Sequence, residues 1–370
     1  MVNDMKIKTN LKLIVPILVF AIISILSIYS AQGMLSESYN DLFIKQILWY
    51  LLGFMCVIIF SKKRFNFIFD KPYILYFVGI ISLILVLFLG TESNGARCWF
   101  KVPGIGSVQP SEFMKIFLIL VLAKELDKYA NNNYERTFKT EFKIIIKCFL
   151  ITLIPSILTF LEPDTGIVFI YFAIMIVMLF TFGIRYRWFV IIGGVGTLLI
   201  GSFLFLFFKE QELFINIFGT NFFYRMDRLL DWSNGSGMQL TNALAATGSA
   251  GLFGYGINNT PIYFPEPQTD FIFSVFASNF GFIGSLVLLL SLIYFDMQII
   301  KVGINSEKQY KYIISGIIAM LIFQQIQNIG MNIGLLPITG ITLPFVSYGG
   351  SSLISYMIIF GIILNIANKK

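Results

Sequence analysis

The chain contains no histidine. That excludes imidazole chemistry, both as an acid–base couple near neutral pH and as the commonest metal ligand. Cysteine is almost as scarce. Cys56, Cys98 and Cys148 lie far apart, so neither a disulfide framework nor a zinc-type spacing can be drawn. Charge is also short. Only 13% of the 370 residues are Asp, Glu, Lys or Arg, against about a quarter in an ordinary globular domain. Hydrophobic residues make up 57%, including 40 phenylalanines. A water-soluble fold of this composition lacks the polar groups to cover its own surface, which leaves a membrane protein.

The few charges sum to +7. A basic excess suits nucleic acid when it forms a patch or stripe. Here Lys and Arg sit in short clusters between apolar runs, which argues against a nucleic-acid partner. A bilayer core asks for roughly 20 apolar residues per helix. The runs that meet this are 13–31, 44–60, 73–90, 111–126, 144–160, 165–183, 188–208, 270–296, 312–333 and 347–366. The implied fold class is all-α: a polytopic membrane protein of about ten transmembrane helices, organised as one transmembrane domain over 1–370. Residues 209–269 form a long loop between the seventh and eighth helices. Loops of that length are usually functional or disordered, and Phe222, Phe223, Tyr224 and Trp232 argue against disorder. The first run resembles a signal peptide, but Tyr29 is too bulky for the position three before the best cut, so the run is read as an uncleaved helix.

Lysine and arginine orient the bundle. With the N-terminus in the cytoplasm, most of the 27 basic residues fall on the cytoplasmic side. An even number of spans then places both termini in the cytoplasm and the 209–269 loop outside.

Ionisable groups inside a membrane protein are costly and usually face a partner or a cavity. They gather in four places. The first runs from Asn94 through Arg97, Trp99 and Lys101 to Gln109, Ser111, Glu112 and Lys115. Glu112 and Lys115 are three apart and share a helix face. They read as a self-neutralising ion pair, or as part of a charged site to which Arg97 adds a third charge; Arg suits planar recognition of phosphate oxygens. The second is Glu162-Pro163-Asp164-Thr165-Gly166, a turn whose Asp164 reads equally as a helix cap. The third is Pro265-Glu266-Pro267-Gln268-Thr269-Asp270. Asp270 can be an N-cap, but Ser274, Ser278, Gly281 and Ser285 extend it as a small, polar stripe suited to a wet groove. The fourth is the segment Leu343 to Ser352, with Ser347 and Tyr348, whose small residues permit close packing or expose N–H groups to an anion.

Together with neighbouring segments, these places carry a resemblance. GARCWF with QPSEFMK, EPDTG, YRMDRLLDW, GSAGLFGYG, PEPQTDFIF and NIGMNIGLLPITGITLPFVSYGGSS follow one another over residues 94–352. In that order they resemble the SEDS family of bacterial cell-wall proteins, which includes RodA, FtsW and sporulation relatives; the short tails and the NIGMN segment look most like RodA. The resemblance implies a peptidoglycan glycosyltransferase of the bacterial cytoplasmic membrane, polymerising lipid II with inversion. It implies Asp270 as the catalytic carboxylate and places the family's outer-loop Arg-Trp pair on Arg97 and Trp99; the four polar places add Lys101, Gln109, Ser111, Glu112, Lys115, Asp164, Glu266, Thr269, Ser347 and Tyr348 as candidate substrate contacts. It implies a class B penicillin-binding protein as partner.

A divalent cation, Mg or Mn, held by Asp164 or Glu266 is one way to steady a diphosphate leaving group; Arg97, Lys101 or Lys115 is another. The family pattern is broken where His is replaced by Gln268, where Glu-Glu is replaced by Ser278-Asn279, and where Gln-Ser is replaced by Asn242-Ala243. Those departures keep open the reading of an inactive scaffold for the transpeptidase, and polar residues within a bundle, which suit a transport path too, keep open a lipid II flippase.

Overall fold

The computed structural model describes residues 2–36, 39, 41–62, 67–93, 96–102, 106–131, 135, 137–220, 223, 232 and 237–369, without the side chains of 2–10, 67, 93 and 96. Asn94, Gly95 and most of the YRMDRLLDW segment lie outside the described residues. The chain opens with α1 (Val2–Gln32), α2 (Leu42–Phe60), α3 (Phe67–Asp70) and α4 (Pro72–Leu89). A small antiparallel sheet follows: β1 (Thr91–Ser93), β2 (Ala96–Val102) and β3 (Gly106–Val108), in the order β1-β2-β3. Next come α5 (Pro110–Asn131), α6 (Phe138–Leu161), α7 (Thr165–Phe182) and α8 (Tyr186–Lys209). The segment expected as a long loop carries α9 (Gln211–Phe218) and α10 (Met238–Gly248). The chain closes with α11 (Ile272–Ile304), α12 (Lys308–Asn332) and α13 (Gly350–Ala367).

Among the described residues, nine helices are long and apolar enough to cross a membrane: α1, α2, α4, α6, α7, α8, α11, α12 and α13. The tenth expected span, 111–126, is α5. Its charges make it less apolar than the nine, and its position explains how it tolerates them. It packs against α4, α6, α7, α12 and α13, and most of its residues from Pro110 to Leu126 are buried. A helix enclosed by other helices need not be apolar toward lipid. α8 is the opposite case. Only Trp188 and Phe207 are buried along it, and it is moored at its start, where Trp188 donates to the buried Glu141 at 2.9 Å and stacks on Phe138.

The small sheet was not expected. β2 alternates, with Arg97 and Lys101 exposed on one side and Cys98 buried on the other, as a half-buried strand should. Lys101 pairs with Ser107 and Thr91 with Trp99 across the two ladders.

α11 is not one continuous helix, which corrects the stripe drawn from Asp270 to Ser285. Gly281 has φ 65° and ψ −161° and breaks it. Both broken ends are closed by the glycine-rich segment after α10. Phe282 and Ile283 donate their N–H groups to the carbonyls of Gly251 and Leu252, and the Ser278 and Asn279 carbonyls accept from Tyr255 and Gly256. Non-helical backbone at membrane depth persists where protein supplies the missing partners. The polar face therefore ends at Ser278, and Ser285 bonds back to the Gly281 carbonyl at 2.9 Å.

Alanine at 281 would hold a φ that only glycine adopts readily, a strain of about 1–3 kcal/mol. Its Cβ would also come within 2.5 Å of the Gly254 nitrogen and Leu252 backbone. Gly281→Ala is expected to lower the thermal midpoint of the purified protein by more than an alanine at Gly193, where nothing lies within 4 Å. Differential scanning fluorimetry of the two variants checks this.

Candidate functional site

The turn 266–271 places Asp270. Glu266 takes a left-handed φ of 53°, and its carbonyl accepts from the N–H groups of Thr269 and Phe271. Its carboxylate accepts from Gln268 Nε2 and Thr269 Oγ1, each at 3.0 Å. Phe271, not Asp270, is the N-cap of α11, so the capping role open to Asp270 in the sequence is not realised. Asp270 is partly exposed.

Two asparagines fix its backbone. Asn328 and Asn332, one turn apart on α12, both donate to the Asp270 carbonyl, at 2.9 and 2.8 Å. Asn332 also accepts from the Ser274 N–H and hydroxyl, and Asn328 also donates to the Ile341 carbonyl at 2.8 Å. Ser347 Oγ donates to the Thr269 carbonyl at 2.7 Å and accepts from the Leu343 N–H at 2.8 Å. The Tyr348 N–H donates to the Gln268 carbonyl. The third and fourth polar places are thus one unit, with α12 as its back wall. Asn328 and Asn332 were not singled out as site residues, although polar groups four apart within an apolar span are a recognisable signal of a buried hydrogen-bonding face.

The first and second places form an adjoining unit. Ser351 Oγ accepts from the Gln109 N–H and donates to the Ser107 carbonyl, both at 3.0 Å. Gln109 Nε2 donates to Asp164 Oδ2 at 2.7 Å. Asp164 is the N-cap of α7, accepting from the Ile167 N–H at 3.2 Å, so it both caps a helix and ties that helix to the 107–109 segment. Ser111 is buried and its carbonyl accepts from Tyr171.

Glu112 and Lys115 form a closed pair at 2.8 Å, with side-chain exposures of 7% and 0%. Ser355 donates to Glu112 at 3.3 Å, and the Lys115 ammonium lies 5.1 Å from the Tyr356 ring centroid. Tyr356 accepts from Gln324 at 2.7 Å. Arg97 is not the third member of this group. It is half exposed on β2 and faces Glu92 at 3.8 Å. Trp99 is half-buried, with its carbonyl accepting from Thr91, and Lys101 is exposed.

The replaced family positions have work of their own. Asn279 Oδ1 accepts from Ser30 Oγ at 3.2 Å and Thr260 Oγ1 at 3.1 Å, joining α1 to the segment before the Asp270 turn. Asn242 donates to the Tyr263 carbonyl at 2.8 Å. Among the described residues no group of three His, Cys, Asp or Glu side chains is placed to hold a metal.

Burial pushes Asp164 up to about 6. Glu162 beside it is fully buried, and neither of its carboxyl oxygens has a hydrogen-bond partner. Burial first, and the Asp164 charge second, push it up to about 9 from 4.5. A carboxyl whose folded value is raised stabilises the fold below its unfolded value, and that stability is lost as pH rises toward the folded one. Glu162→Gln should therefore raise the thermal midpoint at pH 8 and leave it little changed at pH 4, when measured on the purified protein at both values.

A family model described as cell cycle protein, and labelled for FtsW, RodA and SpoVE, matches residues 8–370. The chain belongs to this family. It is 32% identical to stage V sporulation protein E of Bacillus subtilis, over 98% of this chain and 98% of that one. It is 35% identical to the probable peptidoglycan glycosyltransferase FtsW of Coxiella burnetii, over 88% of this chain and 86% of the relative. Two solved structures share the fold at 26% identity. One is a chain from a peptidoglycan synthase complex that coordinates polymerization and crosslinking, with a TM-score of 0.79 over 96% of this chain and 97% of that one. The other is the rod shape determining protein RodA of Thermus thermophilus, with a TM-score of 0.68 over 97% and 96%.

Proposed function

We propose that this family member is a peptidoglycan glycosyltransferase that polymerises lipid II at the outer face of the bacterial cytoplasmic membrane, with a class B penicillin-binding protein cross-linking its product. The observation that carries the reading is Asp270. Asp270 is partly exposed and stands on a turn whose backbone is bonded by α12 and by Ser347, with Phe271 rather than Asp270 as the N-cap of α11. Both termini are cytoplasmic in this reading, which agrees with the lysine-rich connections at the opposite end.

The chemistry divides among the residues. A sugar hydroxyl gives its proton to the Asp270 carboxylate. Its oxygen forms a bond to the anomeric carbon of a second sugar. The bond from that carbon to the lipid diphosphate breaks from the opposite side, and its electron pair leaves with the diphosphate, so the carbon inverts. General-base help of this kind contributes about 10²–10⁴-fold. Negative charge grows on the diphosphate, where cations help most. Lys115 is enclosed and paired with Glu112, whereas Arg97 and Lys101 are exposed on β2 and are free of such enclosure, which favours them for that group among the described residues named above.

The test is polymerisation of purified lipid II by the purified protein with its cognate transpeptidase. Glycan strands on a gel support the reading. Transfer of labelled lipid II across a vesicle without polymer would make the protein a flippase, and neither activity would leave a scaffold.

A further inference from the structure

The starts of α6 and α8 meet in a knot at one foot of the bundle. Trp188 donates to Glu141 at 2.9 Å, and Arg185 pairs with the other oxygen of that carboxylate at 3.4 Å. Phe138 and Phe142, one turn apart on α6, both stack on the Trp188 ring, at 4.6 and 5.8 Å between centroids. The outer side of the knot is uncovered. Phe138, Phe142 and Tyr186 are exposed, and each has a cation beside it in the chain: Lys139, Lys143, and Arg185 with Arg187, all exposed. Lys139 and Lys143 are four apart and share a helix face. Glu141 is buried and already engaged, which leaves Glu135 as the exposed carboxylate nearest in the chain. Lys139, Lys143 and Arg187 have no ion pair among the described residues. Further along α6 the balance is different: Lys147, like Lys128 of α5, is engaged by Glu125.

Beyond the knot α8 stands apart. Among the described helices it packs closely on α9 alone. Phe207, its other buried residue, is covered by Phe214 of α9. Between Trp188 and Phe207 no residue of α8 is buried, and Leu198 is 74% exposed. In a bilayer, acyl chains lie against that length. The neighbour at the foot must therefore be apolar along α8 and negative at its end. Lysine and arginine reach head-group level with their stems still in apolar surroundings, and exposed aromatic rings are at home at that same level. An acidic protein segment would answer the cations but not the three exposed rings.

We propose that the foot of α6 and α8 binds an anionic phospholipid of the inner leaflet. Lys139, Lys143 and Arg187 hold its phosphate, and its acyl chains lie along α8 and join that helix to the bundle. Basic pockets between transmembrane helices on the cytoplasmic side take such head groups. The leaflet follows from the orientation given above; the binding is independent of the polymerase reading.

The probe is phosphatidylglycerol in nanodiscs of phosphatidylcholine, with pure phosphatidylcholine as reference. In the wild type, hydrogen exchange should slow in the first turns of α8 when phosphatidylglycerol is present and stay unchanged over 301–311. In detergent, added phosphatidylglycerol should raise the thermal midpoint and inorganic phosphate should not. Lys139→Gln with Lys143→Gln and Arg187→Gln should weaken phosphatidylglycerol binding about tenfold or more, followed by native mass spectrometry. Lys301→Gln with Lys308→Gln and Lys311→Gln, an equal change of charge at another connection, should bind as the wild type does. Equal protection by both lipids, a midpoint rise matched by inorganic phosphate, or an equal loss in the 301–311 variant overturns the proposal. Slowed exchange at the foot with polyglutamate but not with phosphatidylglycerol would assign the surface to an acidic protein instead. The exchange measurement uses the wild type, so it decides even where a triple variant fails to fold.

Discussion

Asp270→Asn should abolish glycan polymerisation while leaving the protein folded. The substitution removes the proton acceptor but keeps the shape, so the expected loss is about 10²–10⁴-fold in the rate from purified lipid II. The two asparagine bonds that place residue 270 go to its main-chain carbonyl, which the amide variant retains. Those main-chain bonds should therefore survive the substitution, and the thermal midpoint of the variant measures what the side chain itself adds. A variant that polymerises at the normal rate would remove Asp270 from the chemistry. One that no longer folds would mean the side chain carries a structural load, and Asp270→Glu, which keeps the acid, would then separate the two roles.

The second large effect is on stability. Lys115→Met should destabilise the protein by about 3–5 kcal/mol, because it leaves the Glu112 carboxylate buried without its cation. Ser355 would remain as a donor at 3.3 Å, too little to replace an ammonium at 2.8 Å. Combining it with Glu112→Gln removes the orphaned charge, and the double variant should regain most of the loss. Denaturation in mild detergent, with all four proteins compared as a cycle, measures the coupling. Additive effects would show that the pair is not a unit.

How far each feature could be read in the sequence follows from what enforces it. Lipid enforces long apolar runs, so the spans stood out, and α5 did too despite its charges because a run of Ile, Leu and Val follows Lys115. The Glu112–Lys115 pair was legible because helical spacing alone puts the two side chains together. Asp270 was visible as a carboxylate beside a small, polar helix face. The break at Gly281 was not, because it depends on four backbone hydrogen bonds from the Gly251–Gly256 segment, and backbone partners leave no mark on side-chain periodicity. The reassignment of Arg97 to Glu92 has the same origin. It follows from a strand register, Thr91 against Trp99, set by the hairpin rather than by spacing along the chain. Asn328 and Asn332 lay within a recognised motif, yet their target is a main-chain carbonyl, which no pattern of residue types identifies.

The interruption of α11 bears on how the site meets the bilayer. Membranes differ in thickness, and a long apolar helix answers by tilting. An unbroken rod from Asp270 to Ile304 would carry that tilt straight to the carboxylate. Here the short piece before Gly281 is joined to α12 by the Ser274–Asn332 bonds, and the glycine-rich strap is bonded to both sides of the break. A lean of the long part therefore reaches the turn through the strap and α12 as well as along the rod, so the load of a mismatched membrane is shared among three elements.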